Sequence, residues 1–105
     1  MSKLHDIEDP QIAEVLSRHG LTVILMTSAW DGNGVILRSI LEGLTPRFRS
    51  VRFCAADYEA SPRLARLFNL LTPPGILFVK DGEMIQRLTG PVSAGRLNEL
   101  LLDAA

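Results

Sequence analysis

Asp31 and Cys54 are the two side chains whose type and place in this sequence most invite a chemical reading. Asp31 sits in the corner Trp30-Asp31-Gly32-Asn33-Gly34, which follows the apolar run Leu21–Met26 and the residues Thr27-Ser28-Ala29. A carboxylate there could act as a general acid or base. It could equally cap a helix that begins near Gly34, since aspartate is favoured at a helix start for its hydrogen bond to the exposed N–H groups and for its charge. Capping is the simpler role. Backbone N–H groups of Gly32-Asn33-Gly34 could also face an anion, although Asp31 would repel one. Cys54 is the only cysteine in the chain, which excludes an internal disulfide and a four-cysteine metal site. Flanked by Phe53 and Ala55 within a strand, it reads as a small buried apolar residue. A reactive thiol would need exposure and a positive neighbour. His5 and His19 lie far from any second cluster of ligands, so no metal and no cofactor are expected.

The elements that hold the corner can be read from periodicity. Leu21–Met26 is a near-continuous apolar strand of the kind buried on both faces of a sheet. Leu37, Ile40, Leu41 and Leu44 then follow helical spacing, and Thr45-Pro46 ends that helix. Upstream, Asp9-Pro10 reads as cap and first residue of a helix with an Ile12, Val15, Leu16 stripe, closed by Gly20. Downstream, a strand over Ser50–Ala56 leads into Asp57. Ser61-Pro62 opens a helix with Leu64, Leu67 and Phe68 on its inner face. Asn69–Pro74 is a connector. Ile76–Lys80 and Met84–Thr89 are strands joined by Asp81-Gly82, a type I′ hairpin signal. Ser93 caps a last helix with the stripe Leu97, Leu100 and Leu101. The order is α, β, α, β, α, β, β, α: an α/β fold with parallel strands first and an antiparallel hairpin plus helix last.

The 105 residues suffice for one domain, 1–105, with a single core. With 47% hydrophobic and 22% charged residues the composition is that of a globular protein. A net charge of −1 supplies no field to recruit nucleic acid or an anionic membrane. Arg47, Arg49, Arg52, Arg63 and Arg66 are read as solvated surface. Met1–Asp9 is polar and acidic, unlike a signal peptide, and no apolar run approaches the ~20 residues of a membrane span. A cytoplasmic location is the expectation.

Ala29-Trp30-Asp31-Gly32-Asn33-Gly34 resembles the active-site corner of the thioredoxin family, Ala-x-Trp-Cys-Gly-Pro-Cys. Thr72-Pro73-Pro74-Gly75-Ile76-Leu77-Phe78-Val79-Lys80-Asp81-Gly82-Glu83 resembles its cis-proline strand and hairpin, and Gly90-Pro91-Val92-Ser93 its glycine loop. The resemblance covers about Leu21–Leu102. It implies a thioredoxin-like fold, a central mixed sheet with helices on both faces, and a cis peptide bond before Pro74. It also places Asp31 and Gly34 where the two redox cysteines belong. The family's buried aspartate and its lysine partner correspond to Leu25 and Phe53, and its helix-kinking proline to Ser39. Several parts of one thiol and proton apparatus are therefore missing together. The expectation is a redox-inactive domain that binds another protein or an extended peptide, as a chaperone-like or assembly factor, or a second copy of itself. The surface would comprise Trp30, Asp31, Gly32, Asn33, Gly34, Pro73, Pro74, Gly90, Pro91 and Val92. The alternative is a thiol-redox enzyme or sensor of the same family using Cys54 or a partner's thiols.

Overall fold

Residues 4–105 are described by a computed structural model; Met1–Lys3, part of the acidic N-terminal stretch, lie outside the described residues. Five strands form one sheet: β1 His5–Asp6, β2 Leu21–Thr27, β3 Arg52–Asp57, β4 Gly75–Lys80 and β5 Glu83–Thr89, in the order β1-β3-β2-β4-β5. β1 and β2 both run parallel to β3, while β4 is antiparallel to β2 and to β5. The helices are α1 Ile12–Ser17, α2 Gly32–Leu44, α3 Pro62–Leu67 and α4 Ala94–Ala104.

Alternation along the strands explains why they read as continuous apolar runs. Leu21, Val23 and Leu25 of β2, Phe53 and Ala55 of β3, and Ile76 and Phe78 of β4 face one side, where Leu37 and Leu41 of α2 and Leu97 and Leu101 of α4 cover them. Ile24, Met26, Cys54, Ala56, Leu77 and Val79 face the other side, under Val15 of α1 and Leu64 and Ala65 of α3. A sheet covered on both faces buries successive side chains to opposite sides. The result is an α/β sandwich of three layers.

Several sequence expectations need correction. β1 falls within the stretch read only as polar: His5 pairs with Cys54 and Asp6 with Ala55, and Leu4 and Ile7 bury on opposite faces. The first helix is shorter than expected. It opens as a 3₁₀ turn over Asp9–Gln11, capped at Glu8 rather than Asp9, and ends at Ser17, short of Gly20. Gly20, with φ +82°, instead turns the chain into β2, where its N–H donates to the Asp81 carboxylate (2.8 Å) and its carbonyl accepts from the Asp81 N–H (3.0 Å). Leu16 and Leu67 are exposed rather than inward, because α1 and α3 are short and turn Val15, Leu64 and Ala65, with Ile12 partly buried beside them, toward the sheet. Ser61 stands at the start of α3, but its hydroxyl makes no capping bond. The hairpin turn has φ +50° at Asp81 and +85° at Gly82, the two left-handed residues a type I′ turn requires.

Candidate functional site

β2 ends at Thr27 and the chain reaches α2 through Ser28–Asp31. α2 starts at Gly32, two residues earlier than the apolar spacing indicates, because its first turn is polar and carries no stripe to read. The Asp31 side chain accepts from the Asn33 N–H (2.9 Å), and the Asp31 carbonyl accepts from the Gly34 N–H (3.1 Å). Asp31 is therefore a helix cap, and its carboxylate is engaged in that bond. Gly34 is buried against the strand end. A Cβ there would lie 2.7 Å from Cγ2 and 2.9 Å from Cβ of Thr27, so no residue with a side chain, cysteine included, fits without displacing β2 or α2.

Sheet register brings the other loops to the same end. Met26 pairs with Gly75, so Pro74 lies beside the end of β2, and the Gly90 N–H donates to the Pro74 carbonyl (3.0 Å). The Pro73–Pro74 peptide bond is cis. Pro74 is buried, Pro73 and Gly90 are half-buried, Pro91 is exposed, and Val92 packs partly on the core. The loop after β3 joins them: the Tyr58 N–H donates to the Thr27 carbonyl (2.8 Å) and the Ser28 hydroxyl to the Glu59 carboxylate (2.8 Å).

Apolar exposure at this end is large. Trp30 is 94% exposed, Val35 73% and Ile36 59%, the latter two because they fall off the Gly34, Leu37, Leu41, Leu44 stripe that α2 buries. Leu71, just before the prolines, is 78% exposed. Leu71 was missed by sequence reading; its neighbour Leu70 lies over Gly75 and is buried, so an identical pair of leucines divides between core and surface.

The thiol is elsewhere. Cys54 is 0% exposed on the α1/α3 side of the sheet, and burial pushes its pKa up against the lowering influence of Arg52. Leu25 and Phe53 are core residues on the opposite face. Among the described residues no group of three or more His, Cys, Asp or Glu side chains could hold a metal ion, and no helix is long and apolar enough to cross a membrane.

No family model matches the chain. Thioredoxin from Chlamydia muridarum is 31% identical over 71 residues, 68% of this chain and 70% of that protein. Thioredoxin H2 from Arabidopsis thaliana is 26% identical over 77 residues, 73% of this chain and 58% of that one. Among solved structures, a chain from a study of the structural basis of the thiol-resolving mechanism in yeast mitochondrial 1-Cys peroxiredoxin via glutathione/thioredoxin systems matches with a TM-score of 0.86 at 20% identity. It covers 96% of this chain and 95% of that one. The strand order and the two-faced core have the architecture of that structural neighbour, and the identity to a bacterial thioredoxin extends the likeness to sequence: the chain belongs to the thioredoxin family.

Proposed function

We propose that this domain works by binding another protein, engaging an extended segment at the corner formed by Trp30–Gly34, Pro73-Pro74 and Gly90–Val92, without disulfide exchange of its own. The exposure of Trp30 is the observation that carries this reading. An indole left almost wholly in water, in a chain that also exposes Val35 and Ile36 near the start of the following helix and Leu71 just before the prolines, is apolar surface of the kind that marks an interface, and tryptophan is among the residue types enriched at hot spots. The absence of sulfur at Asp31 and Gly34, the capping role of Asp31 and the contact between Gly34 and Thr27 argue in the same direction. The competing thiol reading requires an accessible, low-pKa Cys54, and burial opposes both conditions.

Trp30 is the chain's only tryptophan, so its emission reads the corner directly. Peptides selected from a displayed random library against the full chain should shift that emission toward the blue. Trp30→Ala should weaken them by about 2 kcal/mol or more with the melting temperature held. Insulin disulfide reduction should stay at background. Selected peptides indifferent to Trp30→Ala would remove the corner as the interface. Reductase turnover abolished by Cys54→Ser would replace the binding reading with the enzymatic one.

A further inference from the structure

Charge and hydrogen bonding at the corner are both one-sided. Of residues 28–36, 71–75 and 90–93, Asp31 is the only ionisable one. Its carboxylate is half-exposed, next in the chain to the open indole of Trp30. The Asn33 and Gly34 N–H groups that begin α2 are taken by Asp31 itself, so they are not left to receive an anion. The adjoining loop after β3 adds two exposed acids, Asp57 and Glu59. Asp57 accepts from the N–H groups of Glu59 (2.9 Å) and Ala60 (3.3 Å), and Glu59 accepts from the Ser28 hydroxyl. Neutral donors leave a carboxylate its charge. The ion pairs found among the described residues, made by Arg38, Arg52 and Arg96, involve none of these three acids. Of the nearby cations, Arg38 pairs with Asp6 (3.6 Å), Arg87 reaches the Phe68 carbonyl (3.3 Å), and Arg66 shares the hollow beside Leu71 with Glu59.

The proline loops are as uneven in what they can bond. Pro73, Pro74 and Pro91 have no N–H, and the Gly90 N–H is spent on the Pro74 carbonyl (3.0 Å). These four residues can accept hydrogen bonds from a partner's backbone and donate none. A surface of acceptors and carboxylates around an open indole complements a ligand that brings donors and positive charge, and a cation is also attracted to the indole face.

We infer that the segment docked at this corner is basic. It carries a lysine or arginine next to a large apolar side chain, with the apolar group against Trp30, the cation on the Asp31 carboxylate and backbone N–H groups donating to the proline loops. This rests on the corner being the interface and adds the chemistry of what fills it. An acidic segment or a nucleic acid strand would set its own charge against Asp31.

Among peptides selected against the full chain from a displayed random library, those weakened by Trp30→Ala should be enriched in Lys and Arg beside a Leu or Phe. One such peptide is made in three end-blocked forms, with its basic residues kept, changed to Gln or changed to Glu, and binding is read from Trp30 emission. The basic form should bind most tightly and lose affinity as salt rises. The Glu form should fall at least about tenfold below it. Asp31→Asn removes the charge and keeps a good helix cap; it should weaken the basic form by about twofold to fivefold and leave the Gln form unchanged. Asp31→Ser serves if thermal melting shows the Asn variant unfolded. Three results would each overturn the inference while leaving the corner as the interface: Trp30-dependent peptides with no basic excess, a Glu form that binds as well as the basic one, or a basic form indifferent to the loss of the Asp31 charge. Peptides that all ignore Trp30→Ala would overturn both.

Discussion

Two strand-to-helix corners stand side by side at one end of the sheet, and they are secured differently. The corner after β2 is held by its own residues: Asp31 caps α2 two residues away, and Gly34 seats the helix against Thr27. The corner after β3 is held from outside. Asp9, far off in sequence, takes the N–H groups of Arg63 and Leu64, while Ser61, the local candidate, is buried with its hydroxyl unpartnered. A cap supplied from 54 residues away ties the N-terminal segment to α3 and makes that corner depend on tertiary structure. A cap supplied locally leaves the first corner independent, with its indole free to face solvent. The first joint is secured within itself; the second is secured from a distance.

The largest effect expected from breaking this contrast is at Gly34. Gly34→Val should cost about 1–3 kcal/mol from overpacking against Thr27, read as a lowered urea midpoint, and Thr27→Gly in the same chain should recover part of it. A neutral Gly34→Val would mean that the first corner is looser than its contacts indicate. Asp9→Ala comes next, at about 2 kcal/mol, because a charged acceptor of two backbone N–H groups is lost. Hydrogen exchange should accelerate at Arg63 and Leu64, far from the substitution. Exchange that quickens only around residues 9–12 would deny the long-range cap. Asp31→Ala should cost about 1 kcal/mol, confined to the first turn of α2, and a cost above that of Asp9→Ala would invert the comparison.

Smaller still is the effect of alkaline pH on β3, the strand feeding the second corner. The Cys54 thiol is raised by burial, so the unfolded chain releases that proton first, from about pH 8.5. Stability should then fall as pH rises, until the folded thiol itself titrates. Cys54→Ala should flatten that limb of the stability curve; an unchanged slope would show that other groups govern it. Smallest is Trp30→Ala, whose effect on stability should stay within about 0.5 kcal/mol. A melting temperature lowered by several degrees would show that the indole serves the fold.

The same contrast explains what could be read in advance. β2, α2, the hairpin and the caps at Asp31 and Ser93 are encoded by neighbours in sequence, through apolar period, turn chemistry and side chains that bond within a few residues. β1 has only His5 and Asp6 in its ladder and gains its strand character from β3, so no local pattern announces it. Asp9 has the right chemistry for a cap but acts on a helix whose nearness only the folded chain reveals. Of the candidate site, Trp30 and the prolines were legible as unusual residue types, whereas Leu71 was not. Nothing local distinguishes it from Leu70; the difference is Gly75, whose missing side chain makes room for one leucine and not the other.

The contact between Gly34 and Thr27 also bears on the history open to this sequence. Placing a pair of cysteines at positions 31 and 34 would take away the cap of α2 and, at the same time, press a new side chain into the end of β2. Each substitution made alone gives a less stable chain with a single unpaired thiol at the corner. A dithiol is therefore easier to build here once Thr27 has been made smaller, although Thr27 has no part in the chemistry itself. The order in which such substitutions are tolerated is set by the room around one glycine.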